Sequence, residues 1–228
     1  ISCDQDQAPV EASAIDLASL SNEEVKTKML AAGLWPFVRQ RPLDVVADPS
    51  NAPKAIFISA FDSSPLGPDF DFVLKEKGKE FQMGLDAISK LTEGTVHLTV
   101  NGTITENTIF SEAKGVQVNS ITGKHPAGNV GTQIHHIDPI NKGEFVWTIN
   151  AQDVALIGHY FLTGQYCAKK TIALTGSEVK NPQYIETISG ANVSEILNGQ
   201  IASDNVRVIS GNVLTGTKID KDGHLGFY

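Results

Sequence analysis

Eight residues, Lys54 to Phe61 (KAIFISAF), set the tightest limit on the fold. The run is almost continuously apolar, so a strand formed here must be covered on both faces. That pattern belongs to a strand inside a parallel sheet with helices on either side. Asp62, Ser63, Ser64 and Pro65 follow as turn residues and close it. Residues 72–91 then carry a helical period through Val73, Phe81, Leu85, Ile88 and Leu91. Residues 94–100 (GTVHLTV) alternate as a strand, and 115–121 (GVQVNSI) read as another. Upstream, Ser21 and Glu24 make a capping box ahead of Val25, Met29 and Leu30, and Gly33 fits the position just past that helix. Downstream, 143–149 (GEFVWTI) is strand-like. The segment NAQDVALIGHYFLTGQY then opens a long helix with Asn150 as N-cap and Asp153 at N3. Strands alternating with helices favour an open α/β sheet.

Near residue 168 the pattern changes. AKKTIALTGSEV, QYIETISGA, NVSEILNGQ and NVRVISGNV read as strand, strand, short helix, strand, a small grasp-like unit. The predicted organisation is a linker or tail over 1–14, an α/β domain over 15–168 and a small β-rich domain over 169–228. A chain of 228 residues builds a core without staples. Its formal net charge of −8 excludes the basic stripe of a nucleic-acid binder and a polybasic membrane patch. Two distant cysteines, Cys3 and Cys167, make no disulfide framework and point to a reducing compartment. No apolar run approaches the ~20 residues of a membrane helix.

Residues 124–139, KHPAGNVGTQIHHIDP, hold the densest chemistry and admit several readings. His125, His135 and His136 suggest a metal. The ten-residue gap and the adjacent pair fit no usual ligand spacing, and Asp138 is the only nearby carboxylate. Gly128, Gly131 and Thr132 suggest an anion cradle, but no P-loop spacing is present and no lysine follows Gly131. The leading reading is an architectural loop at the edge of the first domain, its histidines bonded to backbone. Asn101-Gly102-Thr103 reads as a hairpin turn. Asp220, Asp222 and Gly223 hint at a calcium loop that lacks its twelfth-position acid. No nucleophile elbow or catalytic triad is present.

Several long strings carry a family resemblance. LASLSNEEVKTKMLAAGLWPFVRQRPL, AIFISAFDSSPL, GLDAIS, HPAGNVGTQIHHIDP, VWTINAQDVALIGHYFLTGQ and VRVISGNVLTGTK are similar to the A-type subunits of the bacterial sodium-translocating NADH:quinone reductases, from about residue 17 onward. The resemblance implies a Rossmann-like, complex I flavoprotein-like domain followed by a ubiquitin-like β-grasp (SLBB) domain, together forming a central part of a longer polypeptide. It implies a place on the cytoplasmic side of the bacterial inner membrane, peripheral through partner subunits of the six-subunit pump and above all its membrane-embedded B-type subunit. NADH, FAD, FMN and iron–sulfur centres would then sit in those partners. No cofactor is expected on this chain, and ubiquinone is the one candidate ligand.

The flavin-binding subunit of respiratory complex I, and its Rnf relative, show a more distant likeness. There the segment matching 33–45 is a glycine-rich loop whose amides approach the flavin phosphate. Here it reads GLWPFVRQRPLDV. Bulky Trp35, Phe37 and Val38 replace glycines, and Pro36 has no N–H to offer. The expectation is a nucleotide cleft that has lost its cradle and binds neither FMN nor NADH in the ancestral manner.

The family's link to ubiquinone suggests an apolar slot among Trp35, Phe37, Phe145, Trp147 and Tyr160. His125 or His135 would donate to a quinone oxygen, with Gly128, Gly131 and Thr132 alongside. Those same aromatics equally suit a core. Arg39 and Arg41 are candidates for an interface or anion clamp. The leading functional expectation is a non-catalytic subunit of the sodium pump. A ligand-binding redox module with its own quinone or flavin pocket is the alternative. A free-standing dehydrogenase is disfavoured by the missing glycine fingerprint.

Overall fold

The computed structural model describes residues 13–104 and 108–227. Most of the predicted tail, and Cys3 with it, lies outside them. The described chain forms two units: one built from residues 13–63 and 69–167, the other from 168–227 with 64–68.

The larger unit starts with helix α1 (Asn22–Ala31). Its capping box is formed: the Glu24 amide donates to Ser21 Oγ and the Glu24 carboxylate accepts from the Ser21 amide. Val25 and Met29 are buried, whereas Leu30 is exposed, so the apolar stripe is narrower than expected. A 3-10 turn (Trp35–Phe37) leads into a hairpin that sequence reading missed, β1 (Arg39–Arg41) and β2 (Val45–Val46). The apolar run becomes β3 (Ala55–Ser59).

The single helix expected over 72–91 is two. α2 (Phe70–Leu74) begins earlier because Asp69 caps it, and the chain turns at Lys75–Lys77 before α3 (Gly78–Ser89). Next come β4 (Thr95–Asn101) and β5 (Gln117–Ile121). The expected loop at 124–139 contains a helix, α4 (Val130–Ile137). β6 (Val146–Asn150) and α5 (Ala151–Thr163) follow. Asn150 caps α5 by accepting from the Gln152 amide, and Gly164 ends it in the left-handed region.

The sheet order is β2-β1-β6-β3-β4-β5. β6, β3, β4 and β5 are parallel, and β1 is antiparallel to both its neighbours. Asn101-Gly102-Thr103 is therefore no hairpin, because β4 and β5 run the same way. Asn101 Oδ1 instead caps a local turn by accepting from the Thr103 amide.

Strand alternation divides the core. Ala55, Phe57 and Val146 face α4, packing with Ile134. Ile56, Ile58, Leu98 and Trp147 point to the other face and are fully buried, on the side where α3 and α5 pack against β4 and β6. α3 and α5 touch backbone to backbone. A Cβ on Gly158 would stand 1.7 Å from the Glu80 carbonyl oxygen, and one on Gly84 would stand 2.0 Å from that of Val154. Only glycine permits this approach.

The smaller unit keeps the expected order with one strand added: β7 (Lys169–Leu174), β8 (Gln183–Ile188), α6 (Val193–Leu197), β9 (Val208–Ser210) and β10 (Thr217–Ile219). Its strands pair as two antiparallel ribbons, β7–β8 and β9–β10.

Candidate functional site

Parallel α/β sheets seat ligands outside the carboxyl ends of their strands, where the strand order reverses. Here the chain runs β3, β4, β5 in one direction and returns through α4 to β6, on the opposite side of β3. The carboxyl end of β3 is the place to look. A strap, residues 123–129, covers it. The Gly128 amide donates to Ser63 Oγ at 2.7 Å, and His125 Nδ1 lies 3.3 Å from the same oxygen. A Cβ on Gly128 would meet the Ser63 nitrogen at 2.3 Å, so the strap lies directly on the turn after β3. Gln133, fully buried on α4, donates Nε2 to Ser59 Oγ at 2.9 Å from above.

The structure brings His125, Gly128, Gly131 and Thr132 together, in the strap and the first turn of α4. His135 and His136 are exposed in the last turn, their rings edge to face at 5.3 Å. No group of three metal-ligating side chains occurs among the described residues. The Val130, Ile134, Ile137 spacing was the signal that could have revealed α4. Nothing in the sequence marked Gln133, and Ser63 read only as a turn residue.

Trp35 and Phe37 are not brought to this set. Both are buried in the core. Trp35 stacks edge to face on Trp147 at 5.4 Å and donates Nε1 to the Ala47 carbonyl at 2.7 Å. Trp147 is the register partner of Ile56, which puts it on the sheet face opposite α4. Phe145 and Tyr160 are half-buried.

Over residues 33–38 the backbone amides are committed. Gly33 (φ +72) donates to Leu30, Leu34 to Met29, Phe37 to Leu34 and Val38 to Trp35. With Pro36 lacking an N–H, few amides are left to meet a phosphate. Arg39 and Arg41 serve the hairpin: their Nε atoms lie 3.3 and 3.6 Å from Asp44 Oδ1, and Arg39 also bonds the Asp44 carbonyl. This holds Asp44 at positive φ.

Charge near the sheet's amino end is tied locally. Lys54 Nζ lies 2.6 Å from Asp138 and 2.9 Å from Glu144. Its hydrogen bonds to Asp138 and then Glu144 raise the lysine's pKa. The Asn141 amide, then Lys54, holds Glu144 below the ordinary carboxylate range. His97 stacks on Phe57 at 4.6 Å, and burial pushes its pKa down. In the smaller unit a cleft of about 500 Å³ opens beside α6, lined by Ser194, Leu197, Ile201, Asp204 and Lys221 among others. None of the site residues chosen from sequence lines it.

Comparison with known proteins covers both units. Residues 20–166 match the family model described as the NqrA second alpha/beta domain, and residues 171–221 match the NQRA C-terminal domain, an SLBB domain. The A-type subunit of the Na(+)-translocating NADH-quinone reductase of Haemophilus influenzae (strain PittGG) is 40% identical over 93% of this chain and 47% of its own length. The corresponding protein of Neisseria meningitidis serogroup B is 40% identical over 88% of this chain and 44% of its own. The chain thus spans about half the length of these relatives. Among solved structures, an NAD+-reducing [NiFe]-hydrogenase aligns with a TM-score of 0.59 at 13% identity, over 92% of this chain and 47% of that one, a likeness of fold.

Proposed function

The chain belongs to the NqrA family, the A-type subunits of the Na+-translocating NADH-quinone reductases, and from that membership we propose that it is a non-catalytic, docking part of the pump. In this reading it sits peripherally on the cytoplasmic side of the membrane and organises partner subunits, above all the membrane-embedded B-type one. Those partners carry electrons from NADH through flavins and iron–sulfur centres to ubiquinone, coupled to Na⁺ export. No helix among the described residues is long and apolar enough to cross a membrane, which fits attachment through partners.

One observation carries the cofactor-free part of the reading. Where the flavoprotein relatives offer free amides, this chain has Trp35 and Phe37 in the core and the surrounding N–H groups already donated. Flavin phosphate would need those bonds broken and the two rings expelled. The test is spectroscopic: the purified full-length protein should lack a flavin band and should not bind added FMN at micromolar concentration. Stoichiometric flavin bound at residues 33–42 would refute it.

A second reading, a quinone slot on this chain, draws on a different observation. The Trp147 indole N–H is buried beside Trp35 and has no hydrogen-bond partner in the protein. A donor among aromatic rings is the chemistry a quinone carbonyl seeks. Photoreactive quinone in the intact complex separates the possibilities. Labelling at Trp35 or Phe37 would favour this slot, and labelling at His125, Gly128, Gly131, Thr132 or His135 would favour the strap. Labelling confined to the partner subunits would leave only the docking role.

A further inference from the structure

Beneath the strap, two polar atoms are left unpaired by the rest of the protein. Thr99 Oγ1 and Gln133 Oε1 are fully buried, and neither has a hydrogen-bond partner in the chain. The fold puts them in one place. Thr99 and Ser59 are register partners on β4 and β3, so their side chains share the face that α4 covers. Gln133 reaches down from α4 to that same Ser59. Its Nε2 also lies 3.4 Å from the Ala127 carbonyl, on the underside of the strap.

The neighbours cannot fill the gap. Ser59 Oγ accepts from Gln133 and directs its proton to Phe61 O at 3.1 Å, with Gly128 O at 3.5 Å. Asn119, the partner of Thr99 on β5, is engaged with Gln117 and with His97 Nδ1. What remains is an amide oxygen that only accepts and a hydroxyl that accepts or donates. Their complement must donate twice, or donate once and accept once. It must also be small, because neither atom is reachable from outside. Water meets both requirements, and buried waters usually make two to four such bonds.

We propose that an ordered water molecule, sealed under the strap, bridges Thr99 Oγ1 and Gln133 Oε1. That water then completes the hydrogen bonding between β4 and α4 at the carboxyl ends of β3 and β4.

Thr99→Val in the full chain, with Thr99→Ser beside it, tests the proposal by thermal unfolding. A hydroxyl buried dry is replaced by valine without loss, whereas a hydroxyl bonded to water leaves that water short of a partner. The expected result is a Tm for Thr99→Val lowered by about 2–4 °C, with Thr99→Ser nearer the wild type. A Tm for Thr99→Val at or above the wild-type value would overturn the proposal. Should Thr99→Val fail to fold, a high-resolution crystal structure of the wild-type protein decides. Water density within hydrogen-bond reach of both atoms supports the bridge, and its absence removes it.

Discussion

The two units of this protein reach order by different means. The α/β unit has a core of fully buried large side chains, among them Trp147, Phe37, Phe57, Phe81 and Phe161. In the small unit, Val193 is the one buried hydrophobic residue among those described. Its order comes from ribbon hydrogen bonds and polar caps instead. Asn192 caps α6 through the Ser194 amide and donates to the Asp222 carbonyl, and Asn212 caps the turn before β10. Size explains the contrast, because a segment of ~60 residues buries a smaller fraction of its surface than one of ~150. A single substitution should therefore be felt strongly in one unit and weakly in the other.

The largest effect is expected at Trp147. Trp147→Ala empties the centre of the α/β core and should cost about 3–5 kcal/mol, read from the denaturant midpoint of that unit. A smaller loss would mean that the core around Trp35 collapses to fill the space. Gly158→Ala comes next. Its new methyl group meets a backbone oxygen that cannot move without parting α3 from α5, and overpacking of this kind costs roughly 1–3 kcal/mol. Gly131→Ala, where a Cβ meets nothing within 4 Å, is the control that should leave the transition nearly unchanged. In the small unit, Val193→Ala removes two methyl groups and should cost about 1–2 kcal/mol. Amide exchange should rise around α6 while α3 and α5 stay protected. Spread of the effect into the large unit would break the comparison.

The smallest effect is titration of the larger core. Burial lowers the pKa of His97 in the folded protein from its ordinary 6.5. The unfolded chain therefore takes up the proton first as pH falls. Stability from this residue is present above about pH 6.5 and declines below it, down to the lowered folded value. His97→Phe should flatten this part of the pH profile in the α/β unit only. An unchanged profile would show that His97 titrates alike in both states.

Much of this was legible in the sequence. The Lys54–Phe61 run, the Ser21–Glu24 box and the Asn150 cap act locally, through backbone groups within a few residues, so their residue types announce them. The strings shared with the NqrA family carried the membership and both folds. α4 was hidden because its eight residues hold two histidines and an early glycine, and its apolar face makes sense only against Ala55, Phe57 and Val146. The β1–β2 hairpin was hidden because its strands are short and its turn is held by Arg39 and Arg41, which read as an interface or anion clamp.

The strand at Lys54–Phe61, the Ser21–Glu24 capping box and the Asn150 cap were thus determined by sequence alone, since each depends on neighbours along the chain. Tertiary structure decided which face each strand residue took. That placed Trp35 and Phe37 in a core away from His125, and laid Gly128 on the turn after β3. Such contacts join residues some 65 positions apart, where only the folded backbone sets the distance.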